Sequence, residues 1–304
     1  MFSCSEEYDL INHELAELVK GLPESDLGEV IAYVLSSPGK RVRPLILIFS
    51  ARAFGASPAQ ALNAALAIEL VHAASLVHDD ILDCGVERRG SPSAIERFGT
   101  EAALLAGDFL ISKSIELISG YSRSVICTFS RACMSMSEGE MLDLSRACTL
   151  NDYYQCISQK TASLFATSAS MGGLIARAPP EDVTRQERYG LNLGLAYQIL
   201  DDLEEFLGID QGKVSRKTSV ILQRFSENMC SKGNLHDLHA EEKRRARVTA
   251  LQTCVKAIED HCLKAKSALY ESSGDAAMKS RLESIVDEMT HRGLERCRSQ
   301  KSLC

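Results

Sequence analysis

AALAIELVHAASLVHDDILD, residues 64–83, is apolar for most of its length and then carries three carboxylates, Asp79, Asp80 and Asp83, in its last five positions. Apolar residues nearly all the way round suit a helix surrounded by other helices. Charge at the end of such a helix is costly unless something neutralises it. On a helix, positions i and i+4 lie about 40° apart and roughly 6 Å along the axis, so Asp79 and Asp83 share a face with Asp80 beside them. The arrangement returns in YQILDDLEEF (197–206), where Asp201, Asp202 and Glu205 close the apolar run LNLGLAYQIL. One such cluster reads equally well as surface charge in salt bridges. Two with matched spacing predict acid-tipped helices that face one another across a cavity and hold Mg²⁺, a hard cation that bridges carboxylates to phosphates.

The rest of the chain keeps the helical period. Leu10, Ala16, Leu18 and Val19, and later Leu104, Phe109, Ile111, Ile115, Leu117 and Ile118, recur at helical spacing, and no alternating strand pattern occurs. Ser37-Pro38-Gly39 breaks the chain before Arg41, and Gly55-Ala56-Ser57-Pro58 ends one helix and starts the next. Asn151 or Asp152 is expected to cap a helix over 152–176, and Ala178-Pro179-Pro180-Glu181 to open another over about 181–207. No fixed-period repeat or low-complexity linker divides the sequence. The prediction is one all-α domain, residues 1–304, of about ten or more helices.

Apolar residues make up 45% and charged residues 25% of the 304, the balance of an ordinary soluble domain. A net charge of −7 argues against nucleic acid, whose binding needs clustered Lys and Arg. No apolar run approaches the roughly 20 residues of a membrane span. The acidic MFSCSEEYDLINHELAE lacks the order of a signal peptide, so the expectation is a cytoplasmic protein with no transmembrane segment. Eleven cysteines, odd in number, scattered and without a CxxC pair, read as buried reduced thiols.

Cationic segments accompany the acidic ones. GKRVRP (39–44) sets Lys40, Arg41 and Arg43 at a helix start, where free N–H groups and the dipole also favour anions. ERRG (87–90) puts Arg88 and Arg89 just after the first acidic cluster, and adjacent arginines can serve two anions. Lys160-Thr161 adds a cation and a hydroxyl. Together they describe one anion held through Mg²⁺ and another held directly by cations.

GKRVRP, LVHDDILD, ERRG, SQKTASLF and YQILDD, in this order, span most of the chain and resemble the trans-isoprenyl diphosphate synthase family, whose first aspartate-rich motif DDILD matches fully. The resemblance implies a helical bundle around a deep central cavity, assembled as a homodimer. It implies Mg²⁺-dependent joining of isopentenyl diphosphate to an allylic prenyl diphosphate, with three magnesium ions per active site once substrate is bound. Carried over by position, Asp79, Asp83 and Asp201 are direct magnesium ligands, with Asp80, Asp202 and Glu205 as direct or outer partners. Lys40, Arg43, His72 and Arg89 hold isopentenyl diphosphate, while Arg88, Lys160, Thr161 and Gln198 hold or polarise the allylic diphosphate. His78 is left as structural. Two departures stand out. Glu205 replaces the usual third aspartate of the second cluster, and GIDQGKVSRKTSV (208–220) is irregular where the family carries a lysine-bearing loop, so Lys213, Arg216 or Lys217 could close on the diphosphate.

In the family, large aromatics one turn below the first aspartate stop the product at fifteen carbons. Here Ser75 and Ala74 are small, with Val71, Leu70 and Ala67 beyond them and Phe109 as a possible floor. Each added five-carbon unit contributes about 3–4 kcal/mol when buried, so twenty carbons is expected, with longer products next. Two rival functions stand beside this one. A non-catalytic partner subunit is favoured by the altered second cluster but not by the full anion constellation. A terpene cyclase would not need the second clamp that GKRVRP and Arg89 supply.

Overall fold

Short polar caps, proline and glycine divide the chain into helices, and the computed structural model, which describes residues 5–145, 149–207 and 240–299, shows where each begins. Ser5 caps α1 (Glu6–Lys20), its hydroxyl accepting from Tyr8 N–H at 3.2 Å, and Ser25 caps α2 (Asp26–Ser36) in the same way. Ser37-Pro38-Gly39 then separates α2 from α3 (Val42–Ala53). Pro58 opens α4 (Pro58–Asp83), where Gln60 Oε1 accepts from Ser57 N–H at 2.8 Å. A hairpin of two-residue strands, β1 (Glu87–Arg88) and β2 (Ser91–Pro92), is the one sheet among the described residues. After it come α5 (Ala94–Phe98), α6 (Thr100–Ile118) and α7 (Arg123–Leu144).

The helix expected over 152–176 differs in two respects. It starts at α8 (Leu150–Ile157), where Thr149 is the cap and Asp152 reciprocates from the third helical position, at 3.1 and 2.9 Å. It also passes through a π-helical turn, Ser158–Ala162, before continuing as α9 (Ser163–Ile175). The helix expected over 181–207 is α10 (Pro180–Phe206), and α11 (Ala240–Glu271) and α12 (Ala276–Ser299) complete the described chain. The all-α reading holds.

The chain gathers into two compact units, each drawn from three separate stretches: 1–130, 168–179 and 274–278 in the first, 131–167, 180–273 and 279–304 in the second. In the first, α4 packs against α3 and α6, enclosing Leu45, Ile46, Phe49, Ile68, Leu70 and Leu110. Among the described residues α4 is the one helix long and apolar enough to cross a bilayer, but 61% of its most apolar window is already buried within the protein.

In the second unit, α10 packs on α11 and on the π-helical turn around Leu195, Ile199, Leu203, Leu251 and Ile258. Cys254 and Cys297 lie in this core as small hydrophobes; burial pushes their thiols up to about 12 and about 11, so both stay protonated. The described cysteines form no disulfide.

A π-helical turn widens the helix and marks functional stretches more often than chance allows. Here it carries Lys160 and Thr161 and is gripped from both sides. A Cβ on Gly139 of α7 would lie 2.3 Å from Lys160 N, and one on Gly194 of α10 would lie 2.6 Å from Ala162 Cα. Both obstructions are backbone, which has little freedom to give way. Gly139→Ala should therefore destabilise the protein by about 1–3 kcal/mol, read as a lower urea midpoint with an unchanged slope.

Candidate active site

The first acidic cluster divides its labour by helix face. Asp79 is half-buried and Asp83 exposed, whereas Asp80 is 5% exposed and turned inward. Cys84, in a left-handed conformation (φ 53°), ends α4, and the β1–β2 hairpin returns Arg88 to it. Arg88 Nε and Nη2 donate to the two Asp80 oxygens at 3.1 and 2.5 Å, the fork-to-fork pairing that suits guanidinium and carboxylate. Arg89, also left-handed (φ 52°), donates from Nη1 to Pro38 O at 2.7 Å, so the hairpin is tied to the residue just before the GKRVRP segment.

That segment contributes in three ways. Lys40 is exposed at its head. Arg41, a third left-handed residue (φ 51°), forms a buried ion pair with Glu69 at 2.6 Å. Arg43 Nη1 lies 3.0 Å from His72 Nε2. Because a guanidinium only donates, Nε2 accepts and the ring proton sits on Nδ1. Burial holds His72 well below the usual histidine range, reinforced by the charges of Arg43, Arg89, Arg88 and Arg41. His72, Asp80, Arg88 and Arg89 line one cavity of about 150 Å³ with the Arg41–Glu69 pair. Four guanidinium groups around a neutral imidazole make this a place for an anion.

The second cluster repeats the pattern. Asp201 is exposed and Glu205 half-buried, while Asp202 is 5% exposed with both oxygens taken. Tyr153 O–H donates to Oδ2 at 2.6 Å and Gln198 Nε2 to Oδ1 at 2.8 Å. Burial raises the Asp202 carboxyl to about 7, against the lowering effect of those two donors. Gln198 Oε1 in turn accepts from Thr161 Oγ1 at 2.8 Å. Beside Thr161, Lys160 Nζ pairs with Glu140 and with Asp143 Oδ2, the latter at 2.8 Å.

Most of the sequence-predicted residues thus fall into two groups, Arg43, His72, Asp80, Arg88 and Arg89 in one unit and Lys160, Thr161, Gln198 and Asp202 in the other. Lys213, Arg216 and Lys217 lie outside the described residues. Of the chain-length positions, Ser75 is half-buried on the stripe of Asp79, its hydroxyl donating to His72 O at 2.9 Å. Ala74 and Val71 are 1% and 5% exposed; Ala74 lies about 140° round the helix from Asp79 rather than beneath it. Sequence reasoning missed Glu69, Glu140, Asp143 and Tyr153. EGEMLDL (138–144), two acids three residues apart beside a close-packing glycine, was the available signal for the Lys160 partners.

Among the described residues no three carboxylate, imidazole or thiolate groups converge into a ready-made metal cage. Mg²⁺ does not need one, since it takes one or two protein carboxylates and fills its octahedron with water and phosphate oxygens. Outward pairs such as Asp79 with Asp83 and Asp201 with Glu205 fit that demand.

A polyprenyl synthetase family model matches residues 24–267. The chain is 40% identical over 288 residues to a geranylfarnesyl diphosphate synthase of Methanosarcina mazei, covering 94% of this chain and 92% of that one. It is 36% identical over 211 residues to a geranylgeranyl diphosphate synthase of Sulfolobus acidocaldarius, covering 64% of each. Among solved structures, a geranyltranstransferase from Methanosarcina mazei matches 97% of this chain and 100% of its own, with a TM-score of 0.80 at 37% identity. A decaprenyl diphosphate synthase from Rhodobacter capsulatus matches 94% and 96%, with a TM-score of 0.83 at 26% identity. The chain belongs to the polyprenyl synthetase family and is a prenyltransferase that elongates prenyl chains.

Proposed function

We propose that this enzyme joins isopentenyl diphosphate head to tail to an allylic prenyl diphosphate, with magnesium, to give a product of twenty carbons or one unit more. The observation that carries it is the repeated design of the acidic clusters, each with its middle aspartate buried and bonded inside its own unit between two more exposed carboxylates. Asp79, Asp83, Asp201 and Glu205 would hold the magnesium ions, three with substrate bound, and Asp80 and Asp202 would stand behind them. Bound magnesium supplies charge neutralisation for a departing diphosphate. Relatives named for geranylgeranyl and geranylfarnesyl products support elongation over a cyclase or a non-catalytic subunit. Leu104, Leu105 and Ile115, large apolar residues exposed on α6, support a homodimer.

The chain's own groups have definite tasks in this reaction. As the allylic C–O bond breaks, negative charge grows on the leaving oxygen. Arg88, with Nε and one Nη2 proton engaged by Asp80, keeps Nη1 for a phosphate. Lys160, held by Glu140 and Asp143, adds a second cation for a departing diphosphate. Lys40, Arg43 and Arg89 clamp the second diphosphate, and His72 offers Nδ1–H to it, so that the isopentenyl double bond is oriented as the nucleophile toward the allylic carbon. The new C–C bond forms from that double bond to the allylic carbon, and the proton lost afterwards passes to the released diphosphate.

The direct test is to incubate the purified protein with Mg²⁺, isopentenyl diphosphate and dimethylallyl, geranyl or farnesyl diphosphate and to size the products. Asp79→Ala or Asp201→Ala should abolish condensation with the helical circular dichroism intact; retained full activity in either would refute the metal assignment. Ser75→Phe should shorten the product by at least one unit, and an unchanged profile would show that this stripe does not line the chain's path. The neutral state of His72 also sets a pH dependence. Its folded pKa is lowered, so the unfolded state binds the extra proton below about 6.5, and the stabilisation present above 6.5 is lost on acidification. Asp202, raised to about 7, acts in the opposite sense. Comparison of His72→Asn with the parent therefore isolates the histidine: its urea midpoint should fall less between about pH 7 and pH 5.

A further inference from the structure

Tyr153 is 4% exposed, set among aliphatic side chains of the second unit's core. A phenylalanine would fill that space without a polar atom to satisfy, so the hydroxyl needs its hydrogen bond. That bond goes to Asp202 Oδ2 at 2.6 Å, and from there a directed chain runs outward. Asp202 Oδ1 accepts from Gln198 Nε2 at 2.8 Å, and Gln198 Oε1 accepts from Thr161 Oγ1 at 2.8 Å. Each link fixes the next. An acidic oxygen on one side of the Gln198 amide demands its nitrogen, which turns the carbonyl to Thr161; a flipped amide would set oxygen against oxygen at Asp202 and reverse the bond to Thr161. The chain ends on the π-helical turn whose backbone Gly139 and Gly194 already grip.

We infer that Tyr153 is a positioning residue for the allylic substrate: through Asp202 it fixes the orientation of Gln198 and Thr161. The inference rests on the proposed function, which assigns Gln198 and Thr161 to the allylic diphosphate. Tyr153 lies seven residues before Lys160 on a different helical segment, and its hydroxyl is linked to Gln198 and Thr161 through Asp202. Its effect is therefore transmitted, and a kinetic split exposes it. The isopentenyl clamp, Lys40, Arg43, His72 and Arg89, belongs to the other unit and has no member in this chain of bonds.

The test is steady-state kinetics of Tyr153→Phe, varying each substrate against saturating amounts of the other, with thermal melts of the same preparations. Loss of one hydrogen bond to a buried carboxylate should lower kcat/KM for the allylic diphosphate about tenfold, leave KM for isopentenyl diphosphate at the parental value and preserve a cooperative melt. Asp202→Asn, which keeps the volume but breaks the directionality, should show the same split. The double variant Tyr153→Phe/Gln198→Ala should be no slower than Gln198→Ala alone, because the two act in series. Parental kinetics in Tyr153→Phe, equal losses toward both substrates, or loss of the cooperative melt would each overturn the positioning role while leaving the function intact. An unaltered chain that elongates no allylic primer would overturn the function and this role together.

Discussion

Two helices end in acid where the surroundings are apolar, and the rest of the site follows from how that charge is accommodated. A carboxylate withdrawn from water must be hydrogen-bonded or paired, or its proton will stay on. In each cluster the middle aspartate is the one withdrawn, and the two clusters use different partners. Asp80 meets a full cation, Arg88, through two parallel bonds. Asp202 meets only neutral donors, Tyr153 and Gln198, and its carboxyl is raised to about 7. The same sequence spacing therefore yields one anchored ion pair and one directed relay. Fixing the middle residue inside leaves the flanking carboxylates, one turn apart, to face outward.

The fold was legible because its signals are local. Helical periodicity, Pro58 at a helix start and the Pro179-Pro180 break act within a few residues, and each is where the sequence puts it. The acidic pairs were equally legible, since helix geometry alone places i and i+4 on one face. The misplaced start at 152 has a local cause too: Thr149 and Asp152 form a reciprocal box, so the acid that reads as a cap is the third residue of the helix.

What stayed hidden was the set of partners drawn from distant sequence. Arg41 finds Glu69, Lys160 finds Glu140 and Asp143, and Asp202 finds Tyr153, across separations of 28, 20, 17 and 49 residues, of which no single-helix rule gives any account. Backbone strain was also invisible. Arg41, Cys84 and Arg89 adopt left-handed conformations that favour glycine or asparagine. They flank the segments that carry the cations, and the buried ion pair of Arg41 and the bond from Arg89 to Pro38 O are what hold two of them there.

Charge of both signs is arranged so that binding needs little rearrangement. Around His72 four arginines stand near a single neutral ring, two of them already paired with Glu69 and Asp80, and the positive charge gathered there favours an arriving anion. Around Lys160 the balance is reversed, because one ammonium serves two carboxylates. A diphosphate alone would be repelled there, whereas a diphosphate that arrives with its divalent cations brings the positive charge that this side lacks. The surroundings of His72 thus suit a bare diphosphate, and those of Lys160 one that brings its metal.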